Sequence, residues 1–169
     1  MNLNLPDFRA SERNFQHIIQ VAGRAGRSEK KGEVIVQTFN PKHYSIQYAQ
    51  KQNFIGFYEY ELHLRQELHY PPSTKLARIL FMLNNEEQLR SYMDVVKRKV
   101  AGYPQKYKLI ILSPTPAPIS KIRKQYRYHI LIKAEHQQEI NRFFEWLQSN
   151  VKTPNYIKMQ IDIDPISLL

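Results

Sequence analysis

From residue 75 to residue 163 a near-continuous apolar run is followed by apolar residues at helical spacing, then by two more strand-like runs, then by helical spacing again and finally by apolar residues at every second position. This ordered change of period limits the fold more than any other feature of the chain. A two-residue alternation builds a continuous face only on a strand, and a spacing of three and four only on a helix. Strands are expected over 75–83, 107–112, 125–133 and 156–163, the second followed by a proline-rich loop over 114–118. Helices are expected over about 86–100, where Leu89, Tyr92, Met93, Val96 and Val100 make one stripe, and over 136–148, where Ile140, Phe143, Phe144 and Leu147 turn inward.

The order βαββαβ is that of a ferredoxin-like, split-βαβ domain of the α+β class, in which two helices cover one face of a sheet and leave the other open. The last strand divides cleanly, with Ile157, Met159, Ile161 and Ile163 on one side and Lys158, Gln160 and Asp162 on the other. In the third strand Tyr126 and Tyr128 share a face with Ile130 and Ile132, so Arg127, His129 and Lys133 point the other way. Arg78 interrupts an otherwise apolar first strand. Together with Arg127, His129, Lys133 and Lys158 it is expected to line an exposed basic sheet surface.

Upstream, Phe15, Ile18, Ile19 and Ala22 recur at helical spacing, and the octet from Gln20 to Arg27 follows directly. Arg24 and Arg27 lie three residues apart beside Gly23 and Gly26. Guanidinium is always charged and presents a planar fork of donors that matches phosphate oxygens, while glycine lets a backbone come close. A helix ending near Ala22, a loop through Gly32, a strand over 33–39 and a turn at Asn40-Pro41 are expected next. Two helical stretches follow, the second over 54–68 with Phe54, Phe57, Tyr58, Leu62 and Leu64, closed by Tyr70-Pro71-Pro72. The division read from this is 1–41, a helical connector over 42–72, and 73–169.

The spacing Gln20, Gly23, Arg24, Arg27 resembles motif VI of superfamily 2 helicases, Q-x-x-G-R-x-x-R. The approach from Leu5 through Pro6, Asp7, Phe8 and Arg9 to Phe15-Gln16 is similar to that of one family, the primosomal replication-restart helicases. The similarity continues through Gly32 to Pro41, Tyr70-Pro71-Pro72, Pro116-Ala117-Pro118, Tyr126-Arg127-Tyr128 and Asp162 to Pro165. Asn14, Ser73 and Ser113 depart from residues usual in the family. The resemblance implies that residues 1–41 end a RecA-like helicase lobe, an α/β unit, and that Gln20, Gly23, Arg24 and Arg27 complete an ATP site with the arginines as catalytic fingers. It further implies a terminal domain that contributes to recognising branched DNA and the tail of single-stranded-DNA-binding protein, in a 3′ to 5′ DNA helicase that assembles the primosome.

An ATP-hydrolysing motor also needs a glycine-rich loop with Lys and Ser/Thr, and an acidic pair for Mg2+; no G-x-x-x-x-G-K-[S/T] occurs among the 169 residues. There is no cysteine, so neither a thiolate metal site nor a disulfide is possible, although the family carries a cysteine-held zinc module. The chain is therefore expected to be the C-terminal portion of such a helicase, beginning after both elements, inactive alone and binding no cofactor or metal itself. ATP, Mg2+ and zinc belong to the longer protein. No stretch approaches the ~18 apolar residues of a membrane span, and no signal peptide is legible, so the cytoplasm is expected.

Lys and Arg number 25 against 15 Asp and Glu, a net charge of +10 that favours a polyanionic partner. Between Asp94 and Glu135 there is no acidic residue, and the run contains Lys121, Arg123, Lys124, Arg127 and Lys133. Basic side chains interleaved with Tyr126, Tyr128 and His129 offer phosphate neutralisation, and either a platform for unpaired bases or aromatics turned to the core. Forked or single-stranded DNA is the expected ligand. The six histidines show no paired-ligand spacing and read as surface residues. A different class of reading is a stand-alone basic ferredoxin-like nucleic-acid-binding module in which residues 20–27 only touch phosphate.

Overall fold

The computed structural model describes residues 3, 6–25, 33–104 and 108–169 and divides into two units, Met1–Glu67 and Leu68–Leu169. The first holds three helices, α1 (Ala10–Ala25), α2 (Tyr44–Gln50) and α3 (Phe54–Glu67). Their apolar residues meet as the spacing requires: Phe15 and Ile18 of α1 pack with Ile46 and Ala49 of α2 and Phe57 of α3. The rings of Phe15 and Phe57 stack with centroids 4.1 Å apart. Full burial of a side chain of this size stabilises by roughly 1.5–3 kcal/mol, so this pair anchors a small core.

Polar groups lock the same helices together. Arg65 donates to Glu12 at 2.8 Å and to Glu61 at 2.9 Å, and Glu61 also accepts from the Tyr44 hydroxyl at 2.7 Å. Arg9 grips Glu12 with both Nε and Nη2, at 3.2 and 3.0 Å. Asn14 donates to Ser45 Oγ at 2.8 Å inside the core. The starts of α2 and α3 are capped by side chains, with His43 Nδ1 accepting from the Ser45 N–H and Asn53 Oδ1 from the Gly56 N–H.

Two expectations change in this unit. Helix α1 runs to Ala25 rather than stopping near Ala22. The strand expected over 33–39 is not formed, because no other described segment pairs with it; exposure still alternates residue by residue, with Val36 turned to the core and Ile35 and Phe39 to solvent. Gly26 and Gly32 lie outside the described residues.

The second unit has the order β1 (Lys75–Leu83), α4 (Glu86–Ala101), β2 (Leu109–Ile122), β3 (Gln125–Ala134), α5 (Gln137–Asn150) and β4 (Lys158–Ile163). The sheet order is β2-β3-β1-β4 and every neighbouring pair is antiparallel. Helix α4 thus joins two strands that flank β3, and α5 joins two that flank β1. Ala77, Ile79 and Phe81 of β1 and Ile130 and Ile132 of β3 face Leu89, Met93 and Val96 of α4 and Ile140, Phe143 and Leu147 of α5. Tyr126 and Tyr128 join this core as partly buried members.

Strand β2 departs from expectation. It continues through the proline-rich segment to Ile122, with register shifts between Leu112 and Thr115 and between Pro116 and Lys121. Pro114, Pro116 and Pro118 are tolerated because β2 is an edge strand, where a missing N–H breaks no necessary ladder bond. The start expected at Tyr107 lies outside the described residues. At the opposite edge, Ile161 and Ile163 of β4 face the helix side yet stay partly exposed.

The second sheet face is not open. Leu76, Leu80 and Met82 of β1 and Leu131 of β3 are buried on it, and Leu80 and Met82 pack against Ala117 of β2. The Leu169 backbone oxygen reaches Arg78, the Ile119 carbonyl reaches Arg127, and Leu68 and Tyr70 cover Lys133.

Candidate functional site

Gln20, Gly23 and Arg24 occupy positions i, i+3 and i+4 on the last turns of α1, which places them on one stripe, roughly opposite the buried Phe15 and Ile18. All three are exposed. Among the described residues a methyl group added at Gly23 would meet no atom within 4 Å, so no packing seen there demands a glycine. A mid-helix glycine costs roughly 0.5–1 kcal/mol relative to alanine. Its presence without a packing reason is what close approach by another body would require. Arg24 sits in the last helical turn, where the helix dipole favours cations and disfavours anions; any grip on phosphate there comes from the guanidinium. Arg27 lies outside the described residues. Among the described residues no three His, Asp or Glu side chains gather as a metal ion would require.

The structure separates the basic residues of the second unit into two groups. Arg78, Arg127, His129 and Lys133 are only 7%, 7%, 8% and 6% exposed, which corrects the expectation that they line an open basic surface. Arg78 pairs with Asp162 at 3.1 Å. Arg127 donates to the Ile119 carbonyl at 3.1 Å, and burial together with neighbouring Arg78 holds its pKa down. Lys133 donates to the Leu68 carbonyl at 2.8 Å beneath the Tyr70 ring, 3.4 Å from its centroid, and burial lowers its pKa. Burial, then the charges of Arg78 and Arg127, push His129 down to about 4. It is therefore a neutral buried imidazole, not a surface histidine. Arg78 and Lys133 draw their cover from residues distant in sequence, Leu169 and Leu68.

Lys121, Arg123, Lys124 and Lys158 form the exposed group. The first three lie at the tip of the β2–β3 hairpin, where Lys121 pairs with Tyr126 and Ile122 with Gln125. Lys121 donates to the Tyr126 hydroxyl at 2.7 Å, and its ammonium stands 4.2 Å from that ring's centroid. Tyr126 is thus already occupied by a cation on its face, and Tyr128 packs on the core. These positions suit phosphate contact better than base stacking.

Sequence reasoning missed the residues that complete the buried group. Asp162 faces Arg78 directly across the β1–β4 ladder, and Asp164 accepts from the Leu76 N–H and from Lys75. The alternation along the last strand had put Asp162 on the Arg78 side, but only the pairing register brings them opposite. Tyr70 and the 165–169 segment carry no periodic signal.

The sequence matches the family described as Primosomal protein N C-terminal domain over residues 66–166. Among curated relatives, Replication restart protein PriA of Borreliella burgdorferi is 36% identical over 100% of this chain and 26% of its own length. The Bacillus subtilis protein of the same name is 34% identical over 99% of this chain and 21% of its own, and that of Synechocystis sp. 35% identical over 98% and 20%. The chain thus spans about a fifth to a quarter of the length of the relatives it matches. With the family's profile covering most of the chain, and both units aligned to these relatives, the chain belongs to the primosomal protein N family and corresponds to the C-terminal part of replication restart protein PriA.

Proposed function

We propose that this chain is the C-terminal portion of an ATP-dependent, 3′ to 5′ replication-restart DNA helicase, working in the cytoplasm. In this reading the first unit closes a RecA-like lobe, and Gln20, Gly23, Arg24 and Arg27 complete the ATP site, with the two arginines stabilising charge that develops on the transferred phosphoryl group. ATP and Mg2+ are held by parts of the longer protein, and zinc by its cysteine module. The second unit is a ferredoxin-like domain that binds forked or single-stranded DNA and primosome partners, single-stranded-DNA-binding protein among them. Membership of the family supports the setting, and the single observation that carries the site is Gly23: an exposed helical glycine with open space beside it, on one stripe with Gln20 and Arg24.

The test is made in the full-length helicase. Arg24→Ala or Arg27→Ala is expected to lower ATP turnover by about a thousandfold while DNA affinity holds, since the loss falls on the transition state. Normal ATPase from either variant would refute the finger assignment. The 169-residue chain alone is expected to bind DNA in a salt-dependent way without hydrolysing ATP.

A further inference from the structure

The tip of the β2–β3 hairpin is built against its own conformational preferences. Its two loop residues, Arg123 and Lys124, both have left-handed backbones, with φ of 48° and 66°. A two-residue turn with both residues left-handed is the type that strongly favours Asn-Gly, because branched or long side chains crowd the carbonyls there. Two long cations sit in it instead. Every residue from 119 to 124 is exposed, and the Ile122–Gln125 pair with its two loop residues extends beyond the end of β1, which leaves β3 at Leu83 opposite Tyr126. Among the described residues no ion pair includes Arg123 or Lys124.

We propose that this hairpin tip, with Arg123 and Lys124 at its apex and Lys121 behind them, is a probe for duplex DNA that seats in a groove and contacts backbone phosphates. The inference rests on the reading of the second unit as a DNA-binding domain and names the form of DNA the tip takes. Shape and charge select that partner. A two-stranded ribbon fits the wide groove of a duplex, whereas a peptide needs a groove or a free sheet edge. The tip is convex, and the adjoining edge of β2 is blocked by Pro114, Pro116 and Pro118, which lack the N–H that strand addition requires. Single strands are held largely by stacking on aromatic faces, and the nearest rings are spent: Tyr126 under Lys121, Tyr128 against the core.

The test separates charge from fold. In the whole chain, Arg123→Asn with Lys124→Gly installs the residues this turn prefers while removing both cations. Its melting temperature is expected to rise. Its binding to a short blunt duplex, followed by fluorescence anisotropy across a salt series, is expected to weaken, with the slope of log affinity against log salt shallower by about two. Single-strand binding is expected to change far less. A variant whose duplex affinity and slope match the unchanged chain overturns the inference while leaving the DNA-binding reading intact. Equal loss on single strands overturns the duplex assignment, and unchanged duplex binding with loss of an Asp/Glu-rich peptide gives the tip to a protein partner. If the unchanged chain binds neither duplex nor single strand at low salt, the DNA-binding reading itself fails and the inference falls with it.

Discussion

His129 shows how far one residue's meaning depends on what covers it. As a strand residue beside Arg127 it has the look of a nucleic-acid contact, yet it is buried, and burial first, then the charges of Arg78 and Arg127, push its pKa down to about 4. Between pH 4 and its ordinary value near 6.5 the unfolded chain binds this proton and the folded chain does not, so stability rises with pH across that window. The contribution is complete above about pH 6.5 and is lost as pH falls toward 4, a difference of about 3 kcal/mol. Urea titrations at pH 7 and pH 5 are expected to show this loss in the second unit, and His129→Gln is expected to flatten it. Gly56 poses the opposite case to Gly23. A methyl group at Gly56 would stand 2.7 Å from the Asn53 amide and 2.8 Å from the Tyr48 ring, so Gly56→Ala is expected to displace the α3 cap and cost about 1 kcal/mol in thermal unfolding. Neither effect was legible in the sequence, because each turns on atoms brought close by packing.

Among the elements, helices were the most readable. The stripes of α1, α4 and α5 bury or half-bury the residues that their spacing singles out, since a helix fixes its own geometry and needs only one neighbour to cover it. Strands were read only halfway: the alternation in β3 and β4 fixed which residues share a face, and nothing local said whether that face would be covered. The proline-rich half of β2 was mistaken for a loop because prolines exclude a central strand but not an edge. The polar clasp between α1 and α3 was likewise invisible, since Glu12 and Arg65 are 53 residues apart. Burial pushes the Glu12 carboxyl up, but hydrogen bonds and charge from Arg9 and Arg65 more than offset it and hold it near pKa 2. Its contribution is present above its ordinary value near 4.5 and is lost as pH falls toward 2. Glu12→Gln is expected to lower the first unit's stability by about 2 kcal/mol at pH 7, measured by denaturant unfolding, and by much less at pH 3.

At the scale of the molecule, a net charge of +10 overstates what a polyanion would meet, because part of it is folded away. Arg78, Arg127 and Lys133 are committed to Asp162 and to the Leu169, Ile119 and Leu68 backbone oxygens, so they hold the 165–169 segment, the proline-rich half of β2 and the 68–70 segment on the sheet. Lys121, Arg123, Lys124 and Lys158 are among the basic side chains that stay exposed. Charge reversal therefore discriminates between the two groups. Arg78→Glu with Arg127→Glu sets one carboxylate against Asp162 and another against the Ile119 carbonyl, inside a low-dielectric face, and is expected to unfold the second unit. Reversing Lys121, Arg123, Lys124 and Lys158 instead is expected to leave its circular dichroism and cooperative melting in place while abolishing salt-sensitive DNA binding. If the Arg78 and Arg127 pair folds normally and loses only DNA affinity, the sheet face is a binding surface after all, and the 165–169 segment and the proline-rich half of β2 are covers that DNA displaces.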